Sequence, residues 1–359
     1  MRRVIPCLFA LLITSPAAAQ VAGSVQQPII NGEPVDSDVF PSAAQLIIGG
    51  SLQGQQIKSP VCTATLVAPD VVLTAAHCLE DFPLTFGIFP LDDMTFWVTF
   101  EEDLGYMMEQ EHQGNPPLPD DAVEASGFVQ HPDFTFEAFN GGVDGPGKFD
   151  DIALVFLEEP ITDRPHAWLP DADEDASLAE QQVVDIVGYG QQTAESGGNP
   201  FEPPAPGTAF VRIHAESFIN ELGEHEMQIG DGEETSRKCH GDSGGPSYAQ
   251  VETELTEDVR VVGVTSHAYD ERDCQVGGVD TRVGPYLEWI AEAFEDACAD
   301  GTRLDCEDGA IPRPGATGDD DDDDGGAGCG NGCDQSGAPA GGSALLLLAA
   351  SLGVARRRR

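Results

Sequence analysis

An all-β fold is predicted by three observations along the 359-residue chain. Across residues 46–73, runs of β-branched residues alternate with turn residues, and Val61-Cys62-Thr63-Ala64-Thr65-Leu66-Val67 is the clearest strand among them. A second clean strand is Gln181-Gln182-Val183-Val184-Asp185-Ile186-Val187, and a third is Val261-Val262-Gly263-Val264-Thr265-Ser266. Between and beyond them lie Gly-, Pro- and Asp-rich stretches that read as loops.

Three separated motifs carry chemistry: Thr74-Ala75-Ala76-His77-Cys78, Asp151-Ile152-Ala153-Leu154 and Gly241-Asp242-Ser243-Gly244-Gly245-Pro246. A serine hydroxyl is a weak nucleophile at neutral pH, so it needs a neutral imidazole to take its proton during attack on a carbonyl. A buried carboxylate on the other ring nitrogen fixes the tautomer. Glycines around the serine let the N–H groups of Gly241 and Ser243 both point at a developing oxyanion, where one donor contributes roughly 3–4 kcal/mol. Alone, a serine between glycines is a turn and a histidine beside a cysteine is a packed core residue. Together, the motifs specify Ser243 as nucleophile, His77 as base and Asp151 as orienting acid.

In that order the motifs resemble the chymotrypsin-like (trypsin-like) serine endopeptidase family, from about residue 29 to about residue 298. Further likeness lies in Ile29-Ile30-Asn31-Gly32, similar to the mature N-terminus of the family, and in Gly188-Tyr189-Gly190. Gly278-Val279-Asp280-Thr281-Arg282-Val283 resembles the strand behind the specificity pocket, and Tyr286-Leu287-Glu288-Trp289-Ile290 the start of a C-terminal helix. The resemblance implies two six-stranded antiparallel barrels with the triad between them, hydrolysis of a protein or peptide substrate through an acyl-enzyme, and no cofactor or metal. It also implies disulfides Cys62–Cys78 and Cys239–Cys274; Cys298 and Cys306 can close a small local loop. The competing reading is a catalytically silent adhesion or binding module on the same fold.

At the start, Met1-Arg2-Arg3, an apolar run and Ala17-Ala18-Ala19 read as a secretory signal over residues 1–19. Export implies an oxidising compartment, and removal of the signal leaves an even number of cysteines. Residues 20–28 then form a short propeptide. In the family the freed amine of the first mature residue, here Ile29, pairs with the carboxylate beside the nucleophile, here Asp242. Pro28 rather than Arg or Lys precedes Ile29, which argues against self-cleavage and predicts a separate activating protease. The protease domain is predicted over residues 29–306.

The interval from His77 to Asp151 is long for the family and holds Pro, Gly and acid clusters such as Pro116-Pro117-Leu118-Pro119-Asp120-Asp121. It reads as surface loops inserted over the cleft. Residues 196–207 form another Gly/Pro-rich surface excursion. His131, His112, His166, His214 and His225 read as structural or surface residues without zinc-ligand spacing.

The strand of residues 261–266 is similar to the one that pairs with substrate backbone, so a substrate binds by strand addition. Ser266 falls where the serine of the family contacts the catalytic acid. His267 replaces the usual Trp, which opens or polarises the site. By spacing, Arg237 takes the pocket floor with Lys238 beside it, while Gly278, Asp280 and Ala268 take the walls and entrance. Unpaired buried charge is costly, so an Arg237–Asp280 pair is the default expectation. Acidic, small and basic substrate preferences are all compatible with these residues.

The formal charge of −46 argues against nucleic acid as a partner; it suits solubility in a salty medium first, with calcium binding in acidic loops and attraction of basic substrates as alternatives. Residues 307–328, including the aspartate run 319–324, read as an extended self-repelling linker. Residues 329–359 contain Cys329-Gly330-Asn331-Gly332-Cys333, a short apolar run and Arg356 to Arg359. They resemble a MYXO-CTERM sorting signal, which implies processing by sorting machinery and retention at the outer cell surface. The alternative is a plain membrane anchor, for which the apolar run is short. Either way, contact with the membrane is confined to this C-terminal segment.

Overall fold

Strand formation in this chain follows its period-two burial. In β9 (Ile213–Leu222), Ile213, Ala215, Ser217 and Ile219 are buried while the residues between them are partly or fully exposed. The computed structural model describes residues 29–52, 54–80, 92–109, 114–139, 145–190, 209–252, 257–270 and 273–306. The predicted signal, propeptide, excursion 196–207, linker and sorting segment, with His112, Cys329 and Cys333, lie outside the described residues.

The first barrel consists of β2 (Ala43–Leu52), β3 (Gln55–Ala68), β4 (Val71–Thr74), β5 (Asp92–Thr99), β6 (Val123–Gln130) and β7 (Ala153–Leu157). It closes in the order β2-β3-β4-β7-β6-β5, with every pairing antiparallel. The second is built from β8 (Val183–Gly188), β9, β10 (Glu226–Ile229), β11 (Pro246–Glu252), β12 (Glu257–Ala268) and β13 (Gly278–Arg282). It runs β9-β10-β13-β12-β11-β8 and closes because β8 also pairs with β9; the short β1 (Glu33–Pro34) adds to the β9 edge. The two predicted six-stranded barrels are therefore present.

One prediction changes. The interval between His77 and Asp151 was expected as surface loops, yet it supplies β5 and β6. Its acids serve the barrel: the Asp121 carboxylate accepts from Thr99 Oγ1 and from the Phe100 amide at 2.9 Å. The polar residues that read as loop in sequence cap strand ends in the fold.

The C-terminal helix α3 (Leu287–Asp300) begins one residue past the expected Tyr286. It buries Ile290, Ala293, Phe294 and Ala297 in a core shared with Leu66, Phe156 and Val261. Full burial of side chains the size of Ile290 and Phe294 stabilises the docking by about 1.5–3 kcal/mol each. Gly301 ends the helix at φ 79°, where the following amides turn back to Ala297 O. Two shorter helices, α1 (Phe136–Phe139) and α2 (Ala172–Ala176), lie in the connections. No helix among the described residues is long and apolar enough to cross a membrane.

Where the barrels meet, buried Arg212 donates to Ala43 O at 2.6 Å, Val39 O at 2.7 Å, Phe40 O and the Tyr189 hydroxyl at 3.2 Å. A guanidinium has several N–H donors and no acceptor, so backbone carbonyls of Val39, Phe40 and Ala43 engage its two terminal nitrogens, while Nε stays buried without a hydrogen-bond partner.

Candidate active site

His77 lies in a single 3₁₀ turn, Ala76–Leu79, directly after β4. The Cys62–Cys78 disulfide ties that turn back to β3. Asp151 precedes β7 and is fully buried. Its Oδ1 accepts the His77 amide at 2.8 Å, and its Oδ2 faces His77 Nδ1 at 2.7 Å and accepts the Ser266 hydroxyl at 2.6 Å. Burial by itself pushes the Asp151 carboxyl up. The attraction of His77 and the donated bonds outweigh it and hold the group below the usual carboxylate range. An anionic Asp151 requires Nδ1 of His77 to carry the proton, which makes Nε2 the basic nitrogen.

Ser243 sits on the loop entering β11. Thr63 on β3 donates its amide to Ser243 O at 2.8 Å and its hydroxyl to Gly241 O at 3.0 Å. The Gly244 amide bonds Thr265 O at 2.8 Å, beside Ser266. Close approach explains the glycines. A Cβ on Gly244 would stand 2.1 Å from Thr74 Oγ1, and one on Gly241, at φ 93°, would stand 2.9 Å from the Gly190 Cα. The serine loop thus leans on the segment that leads into His77 and on the strand that holds Asp151. Thr281 Oγ1 on β13 adds a bond to Asp151 O at 3.1 Å.

Asp242 is fully buried, with its carboxylate accepting the amides of Cys239 and Gly190 at 2.8 Å each. Burial pushes this carboxyl up to about 6, against the pull of those amides. Ile29 is fully buried among Val184, Ile186 and Ile213, and Ile30 bridges to Arg237 through paired backbone bonds of 2.9 and 3.2 Å.

The pocket region departs from expectation. Arg237 does not pair with Asp280: its Nε donates to Cys274 O at 2.5 Å and its Nη1 to Gly232 O, Glu233 O and Thr235 O at 2.9–3.0 Å. Lys238 takes Asp280 instead, with Nζ 2.8 Å from Oδ2 and 2.9 Å from Ser247 Oγ. Successive side chains of an extended segment point to opposite sides. Arg237 therefore faces the 232–235 loop, and Lys238 faces the barrel interior, where β11 and β13 present Ser247 and Asp280. Burial lowers the Lys238 ammonium, while Asp280 pulls it back up. In register, Ala268 opposes Gly278 and Thr265 opposes Asp280, so the predicted wall residues share one strand pair.

The other two disulfides among the described residues are Cys239–Cys274, next to Arg237 and Lys238, and Cys298–Cys306, past α3. Among the described residues, three groups of His, Cys or Asp bring potential ligand atoms within 4.8 Å of one another. Two of them consist of disulfide sulfurs beside His77 or His240, and a sulfur already bonded to sulfur is no thiolate ligand. In the third, His131, Asp133 and Asp150, the Asp150 carboxylate already accepts from Tyr286 at 2.9 Å and faces Lys148 at 3.6 Å. Sequence reasoning missed Glu226, a buried carboxyl on β10 that contacts His267, Gly147 and Phe149. An acidic residue in a four-residue strand gives no signal until its neighbours are known.

Residues 29–290 match the Trypsin family. Phenoloxidase-activating factor 1 of Holotrichia diomphalia is 25% identical over 274 residues, covering 73% of this chain and 68% of that protein. The vitellin-degrading protease of Bombyx mori is 26% identical over 239 residues, covering 64% of this chain and 75% of that protein. Chymotrypsin-like elastase family member 1 of Macaca fascicularis is 25% identical over 294 residues, covering 79% of this chain and 96% of that protein. With a matching family, two closed barrels and three disulfides in place, the chain belongs to the trypsin family of serine-type endopeptidases.

Proposed function

We propose that the protein is a secreted, surface-tethered endopeptidase in which Ser243 attacks the scissile carbonyl, His77 takes and returns the proton, and Asp151 orients His77. The observation that carries this reading is the fully buried Asp151 carboxylate, which accepts from the amide and Nδ1 of His77 and from Ser266. The N–H groups of Gly241 and Ser243 stabilise the tetrahedral oxyanion, and an acyl-enzyme on Ser243 is then hydrolysed. Cleavage before Ile29 by another protease supplies an amine for Asp242, whose buried carboxylate lacks that counter-charge in the intact chain.

The substrate is a protein or peptide bound as an added strand along β12. Arg237 is spent on carbonyls and Lys238 on Asp280, so the pocket floor offers no countercharge and takes an uncharged side chain. The signal at residues 1–19 exports the chain, and the segment past Cys306 tethers it at the outer cell surface.

One experiment tests the triad and the tether together. Intact cells are labelled with a biotinylated fluorophosphonate, and the captured surface protein is analysed by mass spectrometry. The adduct is expected on Ser243, absent from Ser243→Ala, in a protein that has lost Arg356 to Arg359. An unlabelled Ser243 in protein cleaved before Ile29 sinks the catalytic assignment, and retention of the terminal arginines sinks the sorting signal.

A further inference from the structure

Glu226 is fully buried on β10, and the triad chemistry leaves it unused. Its Oε2 accepts the Gly147 amide at 2.6 Å and its Oε1 accepts the Phe149 amide at 3.1 Å. These amides belong to the segment that leads directly into Asp151. The same Oε2 lies 3.4 Å from Nε2 of His267, whose Nδ1 lies 2.8 Å from the Ala268 carbonyl.

The protonation state follows from the partners. A carbonyl oxygen can only accept, and a carboxylate that accepts two amides is an anionic acceptor. An imidazole held between them donates from both nitrogens, and only the imidazolium does that. Burying one cation against one anion keeps the local charge balanced.

The groups that face His267 agree. Glu226 approaches from β10 and Asp151 from the segment before β7, and the Phe149 ring meets the imidazole edge-on at 5.3 Å. On β13 its register partner is the apolar Val279, next to an Asp280 already held by Lys238. Burial alone lowers the His267 imidazole, but the bonds to Glu226 and Ala268 and the nearby carboxylates outweigh it and leave the group raised.

His267 stands between Ser266, which donates to Asp151, and Ala268, which faces Gly278 across the pocket entrance. We propose that Glu226 and His267 are positioning residues of the protease: their ion pair fastens the segment carrying the catalytic acid to the substrate-binding edge of β12. This proposal rests on the triad reading above. An extended peptide then finds its strand edge and the orienting acid set by one contact, and misplacement of either is costly, because shifts of about 1 Å can lower rates about a hundredfold.

The sign of the pH dependence is fixed by the raised imidazole. The pair is complete below the ordinary imidazole range and is lost as pH rises through the raised value. Three readouts on the mature enzyme test this. By histidine NMR, His267 is expected to titrate above the ordinary imidazole range and to move down in Glu226→Gln. In peptide hydrolysis, Glu226→Gln is expected to lower kcat/KM about tenfold, mainly through KM, and to shift the alkaline limb of its pH profile to lower pH. His267→Gln keeps a donor toward Glu226 and is expected to abolish that limb. It also serves where Glu226→Gln does not fold.

A His267 midpoint at or below the ordinary imidazole range, or an alkaline limb that survives His267→Gln, overturns the proposal while Ser243 still labels. Failure of Ser243 to label in the parent enzyme overturns the triad reading instead.

Discussion

Arg237 and Lys238 are adjacent cations with different fates. The first bonds four carbonyl oxygens, of Cys274 and of the 232–235 loop, and the second is buried against Asp280 and Ser247 inside the barrel. Removing one partner of a buried pair strands the other. Lys238→Met is therefore expected to cost about 3–5 kcal/mol in denaturant unfolding, and Lys238→Met with Asp280→Leu to recover most of that loss. A cost below about 1 kcal/mol for the single change would contradict a paired, buried ammonium. At this scale the Asp151–His77 contact was legible, because the chemistry proposed for it admits few residue types and neighbouring motifs marked each one. The partner of Lys238 was not, because strand alternation turns the outcome by a single position. Glu226 stayed hidden for the same reason, since its three contacts come from segments 41 to 79 residues away.

Elements succeed or fail here by how their ends are tied. Past Gly301 the chain folds back over the first barrel. Buried Asp70, in the turn between β3 and β4, accepts Arg303 Nε at 3.0 Å and the amides of Leu304 and Asp305 at 2.8 and 2.7 Å. Arg303 also stacks over Phe294 at 4.5 Å, and Ser126 bonds Thr302 O at 2.8 Å. The Cys298–Cys306 bridge, spanning 8 positions, closes the hook. Replacing both cysteines with serine is expected to cost about 2.5 kcal/mol from loop-closure entropy. Asp70→Ala, which leaves buried Arg303 without its carboxylate, is expected to cost about 3 kcal/mol. Both are measured by denaturant midpoint, and an unchanged midpoint in Asp70→Ala would show that the hook adds nothing to stability. Strands rich in β-branched residues were visible in sequence. β5 and β6 were not, because Pro, Gly and acid clusters beside them carry a stronger loop signal than their short apolar runs.

The state of the whole molecule is reported by Asp242, whose carboxylate ties the serine loop to the amides of Gly190 and Cys239. In the intact chain its carboxyl is pushed up to about 6. A raised acid favours the protonated folded form, so its contribution is present below the ordinary Asp value of about 4 and is lost as pH rises through 6. The full loss is about 3 kcal/mol. Asp242→Asn in the uncleaved protein is thus expected to be more favourable to stability at pH 7.5 than at pH 4 by about that amount. Once cleavage frees the Ile29 amine, the same substitution is expected to destabilise at pH 7.5. Denaturant midpoints of cleaved and uncleaved protein decide the matter, and identical responses in the two would refute the ion pair as the activating event.

Sequence by itself determined the all-β class and the family likeness and marked the residues proposed as nucleophile, base and acid, because bond-making chemistry and period-two burial leave local marks. Tertiary structure alone decided the Lys238–Asp280 pair, the carbonyl cage around Arg237, the hook on Asp70 and the Glu226–His267 contact. Each of those joins groups distant in the chain whose charges must be neutralised on burial, and which cation meets which anion is set by barrel closure and strand register rather than by any neighbourhood in the sequence.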